Sequence, residues 1–409
     1  MMKLGSEVGI VTEKLSEKSR PDYVLVIIVV ALVLIGLIMV YSSTFALGYA
    51  RSGQPTYYLI RQAVWVAMGL DIMALMMRVE YHKWQKLSIL FMVVTVLLLL
   101  YVLFAGQAVH GARRRILGDS IQPSEICKLA MVLYVAHWLS SKGEKLRQVT
   151  YGLVPFAILI GIIAGLIILE PDFGTTMLIL ATAGSMFFIA GADIVQLVIS
   201  FIVGGSTLLL LIANYEYAWN RLVAFSQDPF AVLQSPFGAS LAQDTYQVMH
   251  ALVTLGTGGI TGVGLGSGHQ KALLPAAESD AIFAVLGEEL GLIGCVAVVV
   301  LFAALAYRGF NIALRAKDSF GFLLASGITI WLTFQALINV AVVTDTLPFT
   351  GLPLPFISLG GSSLVISLMG IGMLLSVSRG TSVHTTERDA SLGFRGRHGR
   401  ARVSHPRRS

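Results

Sequence analysis

Charged residues are scarce in this sequence: Asp, Glu, Lys and Arg make up 13% of its 409 residues. A soluble domain of ordinary composition carries about 25% charged residues. Hydrophobic residues make up 56% of the chain, and its mean hydropathy is +0.78. This composition excludes an ordinary soluble protein. It predicts an all-α polytopic membrane protein, with room for about ten membrane-spanning helices.

Cysteine is nearly absent, since the chain has two, Cys127 and Cys295, and both lie in apolar runs. This excludes a disulfide framework and a cysteine-based metal cluster. The glycine-rich segment GTGGITGVGLGSGHQK (256–271) lacks the GKS or GKT ending of a phosphate-binding loop, which argues against an ATPase. Its glycines instead predict sharp turns, close backbone approach or a re-entrant segment buried in protein.

About ten apolar runs are long enough to cross a membrane as helices. They lie at about 22–44, 59–77, 87–106, 123–139, 152–169, 175–190, 193–213, 281–306, 320–343 and 362–378. The only long connection inside this region, about 214–280, predicts a large loop between the seventh and eighth helices.

The distribution of positive charge predicts the orientation of the chain in the membrane. If the N-terminus is cytoplasmic, most of the 29 Lys and Arg residues fall on the cytoplasmic side, as the positive-inside rule requires. Both termini are therefore expected to be cytoplasmic, and the 214–280 loop extracytoplasmic. The predicted organisation is a cytoplasmic tail (1–21), a ten-helix membrane domain (22–380) and a disordered basic cytoplasmic tail (381–409).

A few basic residues break this charge rule and therefore need a reason. One interpretation is attraction to anionic lipid; the other is a site for an anionic, membrane-embedded substrate on the outer face. The candidate ligands for such a substrate are Arg113, Arg114, Lys128, Arg221 and Lys271.

Two motifs offer both structural and functional interpretations. Glu125 and Lys128 are three residues apart on a predicted helix, so they can form an ion pair. Lys128 could also contact a substrate phosphate, and Glu125 is likewise a candidate substrate-binding residue; the two roles are compatible. In EPDFGTT, Asp172 can cap the next helix or line the substrate site.

The stretch LLPAAESDAIFAVLGEELG (273–291) places four acids at and inside the eighth helix. Asp280 should lie at the outer mouth of this helix, where a carboxylate can ionise and meet a membrane-anchored substrate. Glu288 and Glu289 lie deeper and are predicted to be buried partners of cations or helix-terminal amides. Glu278 precedes the helix and should be solvated or paired with an Arg. Further on, the prolines of LPFTGLPLPFISLGGSS (347–363) predict an irregular lid at the outer surface.

Four segments occur in an order that resembles the signatures of the SEDS family (shape, elongation, division and sporulation), the FtsW/RodA/SpoVE group. They are QPSEICKLA, EPDFGTT, GVGLGSGHQKALLPAAESDAIFAVLGEELG and PFTGLPLPFISLGGSSL. The resemblance covers about 22–380. It implies an enzyme that polymerises lipid II into peptidoglycan strands and works with a class B penicillin-binding protein and other division or elongation proteins, without nucleic acid. The essential aspartate of the family falls on Asp280, and its acid–lysine pair falls on Glu125 and Lys128.

The reaction that the resemblance implies is an inverting glycosyl transfer. Asp280 would act as the base, and the cations would bind the substrate diphosphate. No cofactor is expected in the protein itself, although a divalent cation, Mg²⁺ or Mn²⁺, stays open as a companion of the diphosphate. A lipid II flippase and a non-catalytic division scaffold are the alternative functions. The basic tail and the PFTGLPLPFIS segment favour a division role over an elongation role.

Overall fold

The computed structural model describes residues 21–109, 112–115, 122–226 and 243–395, and these are nearly all helical. The α-helices are α1 (Tyr23–Ser52), α2 (Tyr57–Arg78), α3 (Tyr81–Ala105), α4 (Pro123–Lys142), α5 (Val154–Leu169), α6 (Phe173–Ile189), α7 (Ile194–Asn214), α8 (Glu216–Ser226), α9 (Gln243–Gly258), α10 (Ile282–Leu314), α11 (Ser319–Val343) and α12 (Gly361–Arg395). Shorter elements are a 3-10 turn (Gly143–Arg147), a π turn (Val149–Leu153), a 3-10 turn (Gln270–Ala272) and an antiparallel hairpin of β1 (Gln107–Val109) and β2 (Ala112–Arg115).

Eight helices in the described ranges are long and apolar enough to cross a membrane. They are α1, α2, α3, α5 with its preceding π turn, α7, α10, α11 and α12 up to Gly380. The two remaining predicted runs correspond to α4 and to α6, a shorter apolar helix of 17 residues. The predicted helical, multi-pass architecture is confirmed, whereas the count of ten spans and the cytoplasmic position of the termini stay predictions.

Several helices differ from the apolar runs at their ends. Helix α1 continues past its predicted end near 44, as far as Ser52, and stops where Gly53 adopts a left-handed conformation with φ +70°. Helix α12 continues to Arg395, past the predicted domain boundary at 380. Because a helix satisfies its own backbone hydrogen bonds, it can extend beyond the apolar run. The rest of the predicted tail, 396–409, lies outside the described residues.

The connection between α7 and α10, predicted as a loop, contains two helices. Helix α8 directly follows α7, and α9 packs against α10. Both are too short and too polar to appear in a search for membrane-spanning runs. Elsewhere, α12 packs on α2, α10 on α11 and α3 on α4, around one continuous apolar core.

The proline-rich segment between α11 and α12 is irregular, as predicted, but it is buried rather than a surface lid. Leu352, Leu354 and Ile357 are at most 2% exposed. A side chain at Gly36 of α1 would overlap the carbonyl oxygen of Phe356, so the segment runs directly against α1. Because these apolar side chains are surrounded by helices, the segment has a fixed conformation inside the helix bundle.

Helix α10 is broken at Gly291, which has φ +67° and ψ −167°. The break is filled by the glycine-rich segment that follows α9. The amides of Val263 and Gly264 donate to the carbonyls of Glu288 and Glu289 at 3.0 and 3.1 Å.

On the other side of the break, the amides of Leu292 and Ile293 donate to Gly259 and Ile260 at 3.0 and 3.2 Å. This backbone pairing satisfies groups that a broken helix would otherwise leave unbonded. It also needs a residue without a side chain at Gly262, where a Cβ would overlap the carbonyl oxygen of Glu289. The glycine-rich segment therefore makes the close backbone approach that its glycines predict. Ile260, Val263 and Leu265 are exposed, so a re-entrant position in the membrane stays a prediction.

Candidate functional site

Asp280 lies immediately before Ala281, the N-cap residue of α10, and its side chain is partly exposed. Its backbone carbonyl accepts a hydrogen bond of 2.8 Å from Nδ2 of Asn339 on α11. Its carboxylate faces Gly351: a Cβ at that glycine would lie 3.3 Å from Oδ2. Gly351 also has φ +73°, a conformation that favours glycine. Gly351 thus places no side chain of its own beside the carboxylate.

A cation from another helix contacts the same proline-rich segment close to Gly351. The guanidinium of Arg221, on α8, donates from Nη1 to the carbonyl of Phe349 at 3.0 Å and lies 5.0 Å from the centre of the Phe349 ring. Phe349 is two residues before Gly351, which Asp280 faces. The structure therefore brings Arg221 and Asp280, both predicted as site residues, to a single three-residue stretch of this segment (349–351).

The predicted pair of Glu125 and Lys128 forms a buried ion pair within α4. Their side chains are 2.7 Å apart, and the two residues are 3% and 0% exposed. Lys128 also donates to Oε1 of Gln335 at 2.9 Å and lies 5.8 Å from the centre of the Trp331 ring. Both side chains are almost fully buried, so the geometry supports the structural ion pair, and a contact of Lys128 with a substrate phosphate stays a prediction.

Asp172 is the N-cap of α6, one of its two predicted roles. Its carboxylate accepts from the backbone amide of Thr175 at 3.0 Å and from the Thr175 hydroxyl at 2.9 Å. It also accepts from Ser124, next to Glu125, at 3.2 Å. These bonds join the first turns of α4 and α6. The geometry therefore supports the cap, and a role of Asp172 in lining the substrate site stays a prediction.

Lys271, predicted as a diphosphate ligand, is the partner of a buried acid, and its role towards the diphosphate stays a prediction. Its ammonium lies 2.6 Å from Oε1 of Glu289 and 2.9 Å from the hydroxyl of Ser42 on α1. The Ser42 hydroxyl donates to the same carboxylate oxygen at 2.5 Å. Because Glu289 is 1% exposed, its charge needs this cation. The short 3-10 turn that carries Lys271 directs the side chain towards α1 and α10.

Glu288 holds that 3-10 turn in place. Its carboxylate accepts from the amides of His269 and Gln270 at 2.8 Å each and from the amide of Lys271 at 3.3 Å. The prediction that Glu288 and Glu289 are buried partners of helix-terminal amides and cations is confirmed. The proposed roles of Arg113 and Arg114, on β2, concern side chains outside the part that the structure describes, and they stay predictions.

Sequence reasoning missed two amides that organise this site. On α11, Gln335 donates from Nε2 to the carbonyl of Pro353, and Asn339 donates from Nδ2 to Leu352, both at 2.8 Å. The available signal was two polar residues four apart in the otherwise apolar run FQALINV, which places both on one helix face. What they bond to could not be read from that pattern.

Residues 23–383 match the FtsW/RodA/SpoVE family, described as cell cycle proteins. The chain belongs to this family. The resemblance stated from the sequence motifs is thereby confirmed over nearly the whole predicted membrane domain.

Among curated relatives, the chain is 39% identical to stage V sporulation protein E of Bacillus subtilis, over 89% of this chain and 98% of that protein. It is 37% identical to a Geobacter protein named "Probable peptidoglycan glycosyltransferase FtsW", over 87% of this chain and 96% of the relative. These long alignments are similar in extent to the family match.

Two solved structures have the same fold. A chain of a peptidoglycan synthase complex, described as coordinating polymerization and crosslinking, superposes with a TM-score of 0.68 at 28% identity. The rod shape determining protein RodA of Thermus thermophilus superposes with a TM-score of 0.64 at 27% identity. Each match covers 88% of this chain and 98% of the other. The multi-pass membrane fold of the family is therefore that of this chain.

Proposed function

We propose that this protein is a peptidoglycan glycosyltransferase that polymerises lipid II into glycan strands on the outer face of the cytoplasmic membrane. The observation that carries the proposal is that the Asp280 carboxylate faces Gly351 while the Arg221 guanidinium bonds the Phe349 carbonyl, two residues earlier in the same segment. The names of the relatives support the reaction class, since several are called peptidoglycan glycosyltransferases.

In the proposed reaction, Asp280 takes the proton of the acceptor sugar hydroxyl as that oxygen attacks the anomeric carbon of the donor. The bond from the anomeric carbon to the diphosphate breaks in the same step, and the diphosphate leaves with its electron pair. An α-linked donor and a β-linked product require inversion, hence a single displacement. Diphosphate leaves without being protonated, so a second carboxylic acid is not needed.

Arg221 is the cation that the described contacts bring nearest to this chemistry, and we assign it to the developing charge of the diphosphate. Its guanidinium already bonds the Phe349 carbonyl, which fixes its orientation. Arg113 and Arg114 are proposed as further diphosphate ligands from their position in the sequence. A divalent cation would bind the diphosphate together with these residues. Loss of polymerisation on adding EDTA, restored by Mg²⁺ or Mn²⁺, is the outcome expected if it is required.

A class B penicillin-binding protein is the proposed partner, together with other division or elongation proteins. The support is the similarity to a chain of a solved peptidoglycan synthase complex. Polymerisation should therefore be measured with the purified protein both alone and with its cognate transpeptidase.

The test replaces Asp280 by Asn, which keeps the size of the side chain and removes the base. With fluorescent lipid II and gel analysis of the products, Asp280→Asn should reduce polymerisation by about 10²- to 10⁴-fold, the usual contribution of a general base. Glu278→Gln is the matched control, because it neutralises an acid two residues away in the same stretch, and it should remain active. Normal polymerisation by Asp280→Asn would refute the proposed role.

Sidedness is tested separately with the protein in liposomes and lipid II supplied only to the outer leaflet. Chains whose extracytoplasmic face points outward should form polymer at once. Transfer of lipid II across the bilayer without polymer would instead identify a flippase.

A further inference from the structure

Asn339 connects the residue proposed as the base to the segment that faces it. It is 1% exposed, and its Nδ2 group donates to two carbonyls at 2.8 Å each, those of Asp280 and Leu352. An amide NH₂ has two hydrogens, so both are used. Turning the amide over would place its oxygen against two carbonyl oxygens, which fixes its orientation.

The bond to Asp280 holds a backbone position that the helix itself does not hold. The amides of Ala284 and Val285, the third and fourth residues of α10, both donate to the carbonyl of Ala281, at 2.9 and 3.5 Å. The carbonyl of Asp280, one residue earlier, is held from another helix by Asn339. The direction in which the carboxylate leaves the backbone therefore depends on α11.

The bond to Leu352 fixes the opposite wall of the same site. Leu352 follows Gly351, the residue that the Asp280 carboxylate faces. One NH₂ group thus holds the backbone of the proposed base and also the backbone of the segment beside it. One helical turn earlier, Gln335 repeats the arrangement, since it bonds the carbonyl of Pro353 and accepts from Lys128.

We propose that Asn339 is a positioning residue for glycosyl transfer and acts by orienting Asp280. This inference rests on the proposed function, in which Asp280 is the base. A base that is displaced by about 1 Å loses about 100-fold in rate, although it still binds the same substrate. Loss of Asn339 should therefore lower kcat and leave the KM for lipid II nearly unchanged.

The experiment compares Asn339→Leu with Gln62→Leu in the full-length protein, alone and with its cognate transpeptidase. Gln62 is a matched control because it is equally buried, at 1% exposed, and donates to the same irregular segment at the carbonyl of Ser358, 3.3 Å away. Both variants lose a buried amide that anchors the segment, but Asn339→Leu removes a direct bond to Asp280, whereas Gln62 reaches its neighbour Ser279 only through the Ser358 hydroxyl. We expect kcat to fall about 100-fold in Asn339→Leu with a similar KM, and Gln62→Leu to keep most of its kcat.

The inference is overturned if the two variants lose kcat equally, or if folded Asn339→Leu keeps its kcat. If Asn339→Leu fails to fold, Asn339→Ser is measured in its place. The serine side chain is smaller and leaves space for a water molecule that can bond the two carbonyls. Asp280→Asn is included in the same assay. Activity in Asp280→Asn contradicts the proposed function itself, whereas an inactive Asp280→Asn beside an unimpaired Asn339→Leu contradicts only the positioning role.

Discussion

Replacing Lys128 by Met should destabilise the protein strongly, because it leaves a buried carboxylate without its cation. Met has nearly the volume of the lysine stem, so the change removes the charge with little change in packing. Glu125, 3% exposed and 2.7 Å from the ammonium, would be left as an isolated buried acid. Breaking such a buried pair costs about 3–5 kcal/mol, a large part of the 5–15 kcal/mol by which a typical protein is stable.

The double variant Lys128→Met/Glu125→Leu shows whether the loss of stability comes from the unpaired Glu125 charge or from the absence of the ion pair itself. Replacing both members of a buried pair by apolar residues is often neutral, so most of the stability should return. Thermal unfolding of the purified proteins in one detergent, followed by circular dichroism, gives the comparison. Wild-type stability of Lys128→Met, or a double variant no more stable than the single one, would refute this reasoning.

Polymerisation by the double variant decides between the two roles that the sequence leaves open for Lys128. If the lysine supports only the helix packing, activity should return together with stability. A stable but inactive double variant would mean that Lys128 or Glu125 takes part in the reaction, for example after a conformational change that exposes the pair to the substrate.

Three further variants test the framework of the site. Gly262→Ala should prevent the glycine-rich segment from docking on α10, because its Cβ would overlap a backbone oxygen. Gly266→Ala, also at positive φ but with open space around it, should cost only about 1–2 kcal/mol of backbone strain; equal losses of melting temperature would contradict the docking argument. Asp172→Ala should lower stability by about 1 kcal/mol or more through loss of the α6 cap, and an unchanged melting temperature would show that the cap is unimportant.

Burial raises the pKa of the Asp345 carboxyl, so its ionisation destabilises the fold as pH rises above the ordinary pKa of 3.8. Asp345→Asn should therefore raise the melting temperature at neutral pH and have no effect below pH 3.8. A difference that is constant with pH would exclude this cause.

The helices could be predicted from the sequence because the membrane leaves the chain little choice. Backbone groups in lipid must bond within the helix, so a long apolar run such as the one that forms α1 has one stable structure. For a similar reason, the sequence predicts what type of group Glu288 and Glu289 bond to. A charge in an apolar region needs a counter-charge or a set of amides. Their identity, Lys271 and the 3-10 turn that carries it, required the structure.

The site could be predicted only in part, because its geometry depends on contacts between distant segments. Asn339 and Asp280 are 59 residues apart, and no periodicity in the sequence shows that α11 presents its amides to the start of α10. Lys271 is nine residues from Asp280, and the sequence predicts it as a ligand of the same substrate. The chain turns between them, so Lys271 bonds Ser42 and Glu289.

The four acids of LLPAAESDAIFAVLGEELG can be separated by exposure and then by position. Glu288 and Glu289 are 2% and 1% exposed and bonded to amides and to Lys271, so neither can meet a substrate hydroxyl. Glu278 and Asp280 are both partly exposed, so exposure does not separate them. The Asp280 carboxylate lies beside Gly351, two residues after the Phe349 carbonyl that binds Arg221. Because a glycosyl transfer that displaces diphosphate needs both a base and a cation, the choice of Asp280 depends on that shared stretch of the chain.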